Sequence, residues 1–414
     1  MGKFNWNPVF NLVMKIKNDY RETFGDLDTD EFEKWLSRLG NEEYNNVFGH
    51  LKVKQYNDFI IIRYGMDEMH ESMWTDSESI FRECRSVVID VANEQLVLAP
   101  FRKFFNLNEV EENKFESVQN EIKNAKSVEI TDKLDGSMQS ARYYNGDIFL
   151  SGSMALDRNS SWRLSDGYSK LTQNHKDMIV ENPEYTFIFE YISVKDAHVV
   201  FYSPEDEGMY LIGMRNVFTG KQLAYKDVKS FAEKYDVPMT KIENKDFEDI
   251  IKDAKRFKST EKEGWVLNID GHMIKLKCDD YVQLHRVLNR FSSVNTIIKN
   301  IADGTFDDLI SKVPENYLGR INQVAKLIYE YMKNTNKNIE DYYIKAPKQD
   351  RKEYMVWVTN NCPKEIQGYL RQKYLNKEYH VLKTCFMNST KYRKLNEMGL
   401  EGTYSALFED LEEA

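Results

Sequence analysis

The chain has 414 residues, 41% hydrophobic and 30% charged, the balance of a soluble globular protein of about two or three domains. No stretch approaches the roughly 20 apolar residues of a membrane span. The formal net charge of −10 weighs against a nucleic-acid partner, but it is unevenly placed: residues 284–414 hold 20 Lys+Arg against 17 Asp+Glu, and residues 1–283 hold 37 against 50. A mildly basic C-terminal third fits a local RNA-contacting surface, and fits an ordinary solvated helical surface almost as well.

The N-terminus, Met1-Gly2-Lys3-Phe4-Asn5-Trp6, lacks the apolar run of a secretory leader, and Trp6 stands where myristoylation wants Ser or Thr. A cytoplasmic protein is expected. Cys84, Cys278, Cys362 and Cys385 include no close pair, which argues against a disulfide framework or a zinc module.

Residues 8–50 read as helix, with Val9, Leu12, Val13 and Ile16 at helical spacing and a second segment from about Asp30 to Leu39 ending at Gly40. From Leu51 the period changes. Phe59–Tyr64 and Ser86–Asp90 read as buried strands, followed by Leu96–Pro100 and Phe101–Glu109. Arg85 and Lys103 in this region are candidate phosphate and ribose contacts, and cations that would lower the pKa of a nearby lysine.

That lysine is Lys133, in Lys133-Leu134-Asp135-Gly136-Ser137 at the end of the strand-like run Ser127–Ile130. A lysine attacks a nucleotide phosphate only when deprotonated and held in place. Gly136 would let the backbone turn and approach a ligand, and Asp135 can accept a hydrogen bond from a ribose hydroxyl. A solvated loop lysine is the alternative for this motif taken alone.

A hairpin follows, Ser140–Tyr144 and Asp147–Leu150 around Asn145-Gly146, a type I′ signal. Residues 160–182 read as helix or loop. Tyr185–Ile192 reads as a strand with Glu190 inside an apolar run, where a buried carboxylate needs a partner or a metal. A further hairpin is expected from Met209–Arg215 and Lys221–Tyr225 around Thr219-Gly220, then helices at 226–236 and 245–257. Glu261–Ile269 turns at Asp270-Gly271 into His272–Lys277. Lys275 and Lys277 share one strand face. They repel each other unless an anion such as a triphosphate lies between them, or unless they point outward from an edge strand. From about Leu284 strands disappear, and Leu318, Ile321, Val324, Ala325, Leu327, Ile328 and Tyr331 make a helical stripe.

Taken in order, Glu83-Cys84-Arg85, Lys103–Glu109, Lys133–Ser137, Phe189-Glu190-Tyr191, Arg215, Glu263-Gly264-Trp265-Val266 and Lys275-Leu276-Lys277 resemble the covalent nucleotidyltransferase superfamily, and more closely the RNA ligase 1 family of tailed phages. The resemblance covers residues from about 50 to 285. It implies an α+β fold: a nucleotidyltransferase (ATP-grasp-like ligase) domain of antiparallel sheets with flanking helices over residues 1–283, its first 50 residues helical, then an all-α domain over 284–414 that selects RNA ends. It implies an ATP-dependent RNA ligase using Mg²⁺, with Mn²⁺ as a substitute, and RNA carrying 5′-phosphate and 3′-hydroxyl ends, as in tRNA cleaved in its anticodon loop. A monomer is expected.

By position, Lys133 is then the nucleophile that takes AMP, and Lys275, Lys277 and Glu263 complete the catalytic set. Arg85, Lys103, Asp135, Gly136, Glu190, Arg215, Glu263, Lys275 and Lys277 would bind the nucleotide. Glu190 and Glu263 would hold the metal through water. Two departures stand out. Met138 occupies the position where DNA ligases and capping enzymes carry arginine, which favours RNA ligase. Phe149 and Ser151 stand where phage relatives carry lysines, so that a phosphate contact moves, with Arg158 as a candidate. Arg85 is followed by Ser86 where glycine is usual, a change expected to matter little. The alternatives are a DNA ligase, a capping guanylyltransferase, or an RNA-binding homologue without catalysis.

Overall fold

The computed structural model describes residues 5–383 except 26–31, 66–72, 75, 77, 157, 160, 197, 290, 292 and 314, and beyond these Met398 and Leu400. The chain divides into two compact units, Met1–Tyr281 and Val282–Ala414.

The first unit opens with three helices: α1 (Pro8–Phe24), α2 (Phe32–Leu39), where the second segment was expected, and α3 (Glu42–Phe48), which was not set apart in the sequence. Local chemistry divides them. Asn7 and Asn41 cap α1 and α3 by accepting amides of the first turn, and Gly25 ends α1 at φ 85°. Val9, Val13 and Ile16 are fully buried and join Trp35, Tyr44 and Ile60 in one core.

That core lies against the sheet β1 (Leu51–Tyr56), β2 (Phe59–Tyr64), β3 (Arg85–Asp90) and β4 (Gln95–Leu98), antiparallel in that order, with the short helix α4 (Ile80–Glu83) before β3. β1 was not foreseen. Its residues alternate buried and exposed only weakly, and pairing to β2 supplies what periodicity does not.

Then follow β5 (Phe105–Asn106), α5 (Phe115–Asn124), β6 (Val128–Lys133), β7 (Ser137–Tyr144), β8 (Asp147–Ser151), α6 (Trp162–Lys170), α7 (Gln173–Glu181), β9 (Tyr185–Ile192), β10 (Gly208–Asn216), α8 (Tyr225–Tyr235), α9 (Phe247–Ala254), β11 (Gly264–Ile269) and β12 (His272–Lys277). β10-β9-β7-β8 form a second antiparallel sheet. β5-β12-β11-β6 form a third, antiparallel except for the short parallel pair β5/β12. Both expected type I′ turns are present, with φ of 49° and 87° at Asn145-Gly146 and of 48° and 104° at Asp270-Gly271.

The hairpin expected from Met209–Arg215 and Lys221–Tyr225 is cut short: an antiparallel bridge joins Arg215 to Gln222, and the Asn216 and Leu223 amides donate to the Lys221 and Met214 carbonyls, but no full second strand forms. The Glu129 carboxylate accepts the Tyr225 amide and draws the chain away from the sheet into the start of α8.

α10 (Asp279–Asn289) begins at the end of the first unit. The second unit contains α11 (Val294–Ala302), α12 (Phe306–Ile310), the 31-residue α13 (Glu315–Lys345), α14 (Arg351–Asn361) and α15 (Lys364–Tyr374), with no strand among its described residues. The molecule is thus α+β, with antiparallel sheets and flanking helices followed by a helical unit.

Candidate active site

The third sheet sets the site by register. Gly264 on β11 lies opposite Lys133 on one side and Lys277 on the other. Two residues along, Val266 lies between Thr131 and Lys275. Partners in register point to the same face, so Lys133, Lys275 and Lys277 share one face of the sheet. Trp265 and Leu276, in the alternate positions, are buried behind it. β12 is an inner strand and Lys275 is only 6% exposed, so the outward edge-strand reading does not apply.

Glu263, one residue before β11, is the pivot. Its Oε2 accepts from the Lys133 amine at 2.5 Å, and its Oε1 lies 3.2 Å from the Lys277 amine. Gly264 follows at φ 154°, where an added Cβ would sit 2.1 Å from the Leu276 carbonyl oxygen. Only glycine lets the chain pass there and deliver Glu263 to both lysines.

Gly136 is also required, for a different reason than expected. An added Cβ would meet the Tyr191 carbonyl oxygen at 2.4 Å, so the residue is small to pack against β9. Its amide donates to Glu190 Oε1 at 3.0 Å, and this places Glu190 beside the lysine.

Asp135 does not present a free acceptor for a ribose. Its side chain is 4% exposed and accepts from the Val200 amide (2.8 Å) and the Tyr281 hydroxyl (2.9 Å). Its own amide donates to the Tyr202 hydroxyl at 2.9 Å. Asp135 therefore fixes the lysine loop.

The electrostatics correct a second expectation. Burial by itself would lower the Lys133 pKa, but Glu263, Glu190 and Asp135 outweigh it and hold the amine above its ordinary value. Arg85 and Lys103 act instead on Lys275. Burial, then Lys103, Arg85, Lys133 and Lys277, push Lys275 well below the usual lysine range. Burial also lowers Lys277, with Glu263 opposing. Burial raises Glu190 to about 7, with Lys133 opposing and Glu263 reinforcing. Glu263 itself stays below its ordinary value, because Lys133 and Lys277 overcome the penalty of burial.

Among the described residues no carboxylate pairs with Lys275. Its amine lies 5.0 Å from the Phe104 ring, whose centre is also 5.1 Å from the Arg85 guanidinium. Arg85 Nη1 is buried without a hydrogen-bond partner among the described residues. Lys103 sits among Tyr64, Trp74 and Phe105, at 5.1, 6.0 and 5.3 Å from their rings. A buried lysine without a counter-ion, beside an arginine with an orphaned donor, fits a polyanion such as a triphosphate.

Glu190 and Glu263 are the residues that could hold a divalent cation. Both Glu263 oxygens already face lysines, and Glu190 Oε1 takes an amide, so contact through water fits better than direct ligation. No group of three or more His, Cys, Asp or Glu among the described residues is arranged to hold an ion.

Arg215 does not join this set. Its guanidinium binds Glu83 in two bonds (2.8 and 3.0 Å) and the Pro100 and Gly220 carbonyls, and stacks on Trp6. The same bonds occupy Glu83. Arg158 is engaged by Tyr168, 3.9 Å from its ring centre, and by Asp147. Ser86 adopts φ 59°, which explains why glycine suits that position. Its hydroxyl donates to the Ser153 carbonyl at 2.6 Å.

Sequence reasoning did not single out Tyr202 and Tyr281, whose hydroxyls hold the lysine loop, or Phe104 as a partner of two cations. Phe104 lay inside a motif segment. Tyr202 sits in a connection with no periodic signal.

Residues 83–281 match the family model described as RNA ligase. Among solved structures, a Naegleria gruberi RNA ligase with pyrophosphate is 18% identical, the match covering 41% of this chain and 55% of that one at a TM-score of 0.34. A mutant of that ligase with ATP and manganese is 15% identical, with the same coverage and TM-score. The chain thus spans about half the length of these ligases. A putative ATP-dependent DNA ligase from Aquifex aeolicus is 14% identical over 82% of this chain and 87% of that one, at a TM-score of 0.42. The match to the RNA ligase family model runs from the helix that carries Glu83 to the tyrosine that holds Asp135.

Proposed function

We propose that the protein is an ATP-dependent RNA ligase. The observation that carries this reading is Lys275, a buried lysine without a carboxylate partner among the described residues, on the same sheet face as Lys133 and Lys277. Lys133 attacks the α-phosphorus of ATP. An N–P bond forms, the bond to the bridging oxygen breaks, pyrophosphate leaves and the amine loses its proton. Such an in-line displacement depends on positioning and on cations around the phosphates. Lys275, Lys277, Lys103 and Arg85 supply the cations, and the Glu263 pivot holds Lys277 beside Lys133.

The resting Lys133 is protonated beside Glu263. Glu190 and Glu263 would hold a divalent cation, Mg²⁺ or Mn²⁺, through water, and its charge would offset theirs and favour the neutral amine. AMP then passes to an RNA 5′-phosphate, and an RNA 3′-hydroxyl displaces it to form the phosphodiester. The first unit is the adenylyltransferase domain, and the helical second unit selects RNA ends. Repair of cleaved tRNA as a monomer in the cytoplasm, of the host if the protein is phage-encoded, is the setting consistent with the resemblance.

The test is incubation with divalent metal and ATP or GTP labelled at the α-phosphate. Label from ATP that stays on the denatured protein in alkali, is released by acid as an N–P bond requires, and disappears in Lys133→Ala is expected. Label from GTP alone indicates capping, and no label with either nucleotide sinks the enzyme reading. Joining of single-stranded RNA rather than nicked DNA distinguishes RNA ligase from DNA ligase.

A further inference from the structure

The connection between β9 and β10 holds the lysine motif, and Asp196 is its hub. The Asp196 side chain is only 4% exposed. It accepts from the Ser137 hydroxyl at 2.7 Å and from Arg163 in a two-pronged pair at 3.0 and 2.9 Å. It also lies 3.3 Å from His198 Nε2. The other ring nitrogen of His198 is 3.7 Å from Asp135 Oδ1. The same connection supplies the Val200 amide and the Tyr202 hydroxyl that bind Asp135.

Each residue after Leu134 is thus tied to a different partner: Asp135 to Val200, Tyr202 and Tyr281, Gly136 to Glu190, and Ser137 to Asp196. Arg163 comes from the first turn of α6, so Asp196 links that helix to the first residue of β7. A buried carboxylate needs such partners to stay ionised. Here two are charged or chargeable, and one is the residue next to Gly136.

We propose that Asp196, clamped by Arg163, is a positioning residue for nucleotide transfer: through Ser137 it holds the Lys133 loop in attack geometry. Its bond to the lysine loop is made at Ser137. Charge-assisted bonds of this kind are short and directional, and a displacement of about 1 Å from the reactive geometry costs on the order of 10²-fold in rate. This inference rests on the ligase reading above.

The experiment measures the rate of protein labelling from α-labelled ATP, at saturating and limiting ATP, on the full chain. Ser137→Ala should lower the maximal rate about tenfold, with half-saturation by ATP within about twofold of the parent and an unchanged melting temperature. Ser137→Thr, which keeps the hydroxyl, should recover most of the rate. Asp196→Asn should lower the rate further. Because that variant weakens the Arg163 pair and can also lose stability, the two Ser137 variants decide. An unchanged rate in Ser137→Ala overturns the proposal. So does a loss confined to ATP half-saturation, or a Thr variant as slow as the Ala variant. If the parent protein takes no label, the ligase reading fails first; if it labels normally and Ser137→Ala does too, only this inference fails.

Discussion

Replacing Lys275 by methionine should stabilise the free protein and abolish its reaction with ATP. The amine is buried and has no carboxylate partner among the described residues, with four other cations acting on it. Exchanging an uncompensated buried charge for an apolar side chain of similar length removes a desolvation cost, and we expect a gain of about 1–3 kcal/mol. For a unit of this size that corresponds to a rise in melting temperature of roughly 2–4 °C per kcal/mol. The gain has a pH signature. The folded-state pKa of Lys275 lies below the ordinary 10.5, so the unfolded chain binds the extra proton between those two values. Parent stability should therefore rise with pH across that window, and the advantage of Lys275→Met should shrink as pH approaches 10.5. The same variant loses the cation that would face the phosphates, so labelling from ATP should fall by about 10²- to 10³-fold. The assays are thermal melts from pH 7 to 10, with and without ATP, and the labelling reaction. A variant that is less stable than the parent at neutral pH, or that labels normally, refutes the anion-site argument.

Glu190→Gln should be more stable than the parent at pH 7 by about 2–3 kcal/mol, because burial raises Glu190 to about 7 from 4.5. The stability that belongs to a raised carboxyl is complete below pH 4.5 and is lost as pH rises, so the difference should vanish near pH 4.5 in denaturant titrations. Glu263→Gln removes the main charge that raises Lys133, so the rising limb of the labelling pH profile, where the amine loses its proton, should move to lower pH even as the maximal rate falls. Gly136→Ala should destabilise the first unit by 2 kcal/mol or more, roughly, since the new Cβ meets the Tyr191 carbonyl, and a chemical denaturation midpoint reads this directly. Arg215→Leu should cost about 3 kcal/mol by stranding Glu83, while the surviving folded molecules label normally. Arg85→Ala should do the reverse, keeping stability and losing label.

Much of the site was legible because its signals are local. Strand alternation places Lys275 and Lys277 on one face, and the Asp270-Gly271 turn fixes how β11 and β12 meet. The ordered motifs from Arg85 to Lys277 are enough to indicate the family. The roles of several motif residues were not legible. Asp135 and Gly136 look like ligand contacts in the linear chain, yet their surroundings are Val200, Tyr281 and the Tyr191 carbonyl, which lie 55 or more positions away. Arg215 looks like a nucleotide contact in the linear chain, yet its guanidinium is taken by Glu83.

The sequence alone determined the α+β division and the identity of the charged groups, since periodicity, turn chemistry and motif order are properties of neighbours along the chain. The tertiary structure decided which charges face each other. Arg85 and Lys103 were expected to loosen the proton on Lys133. The third sheet instead brings Glu263 to Lys133 and turns the cations towards Lys275, because a pKa follows distance and burial in space and not order in the chain.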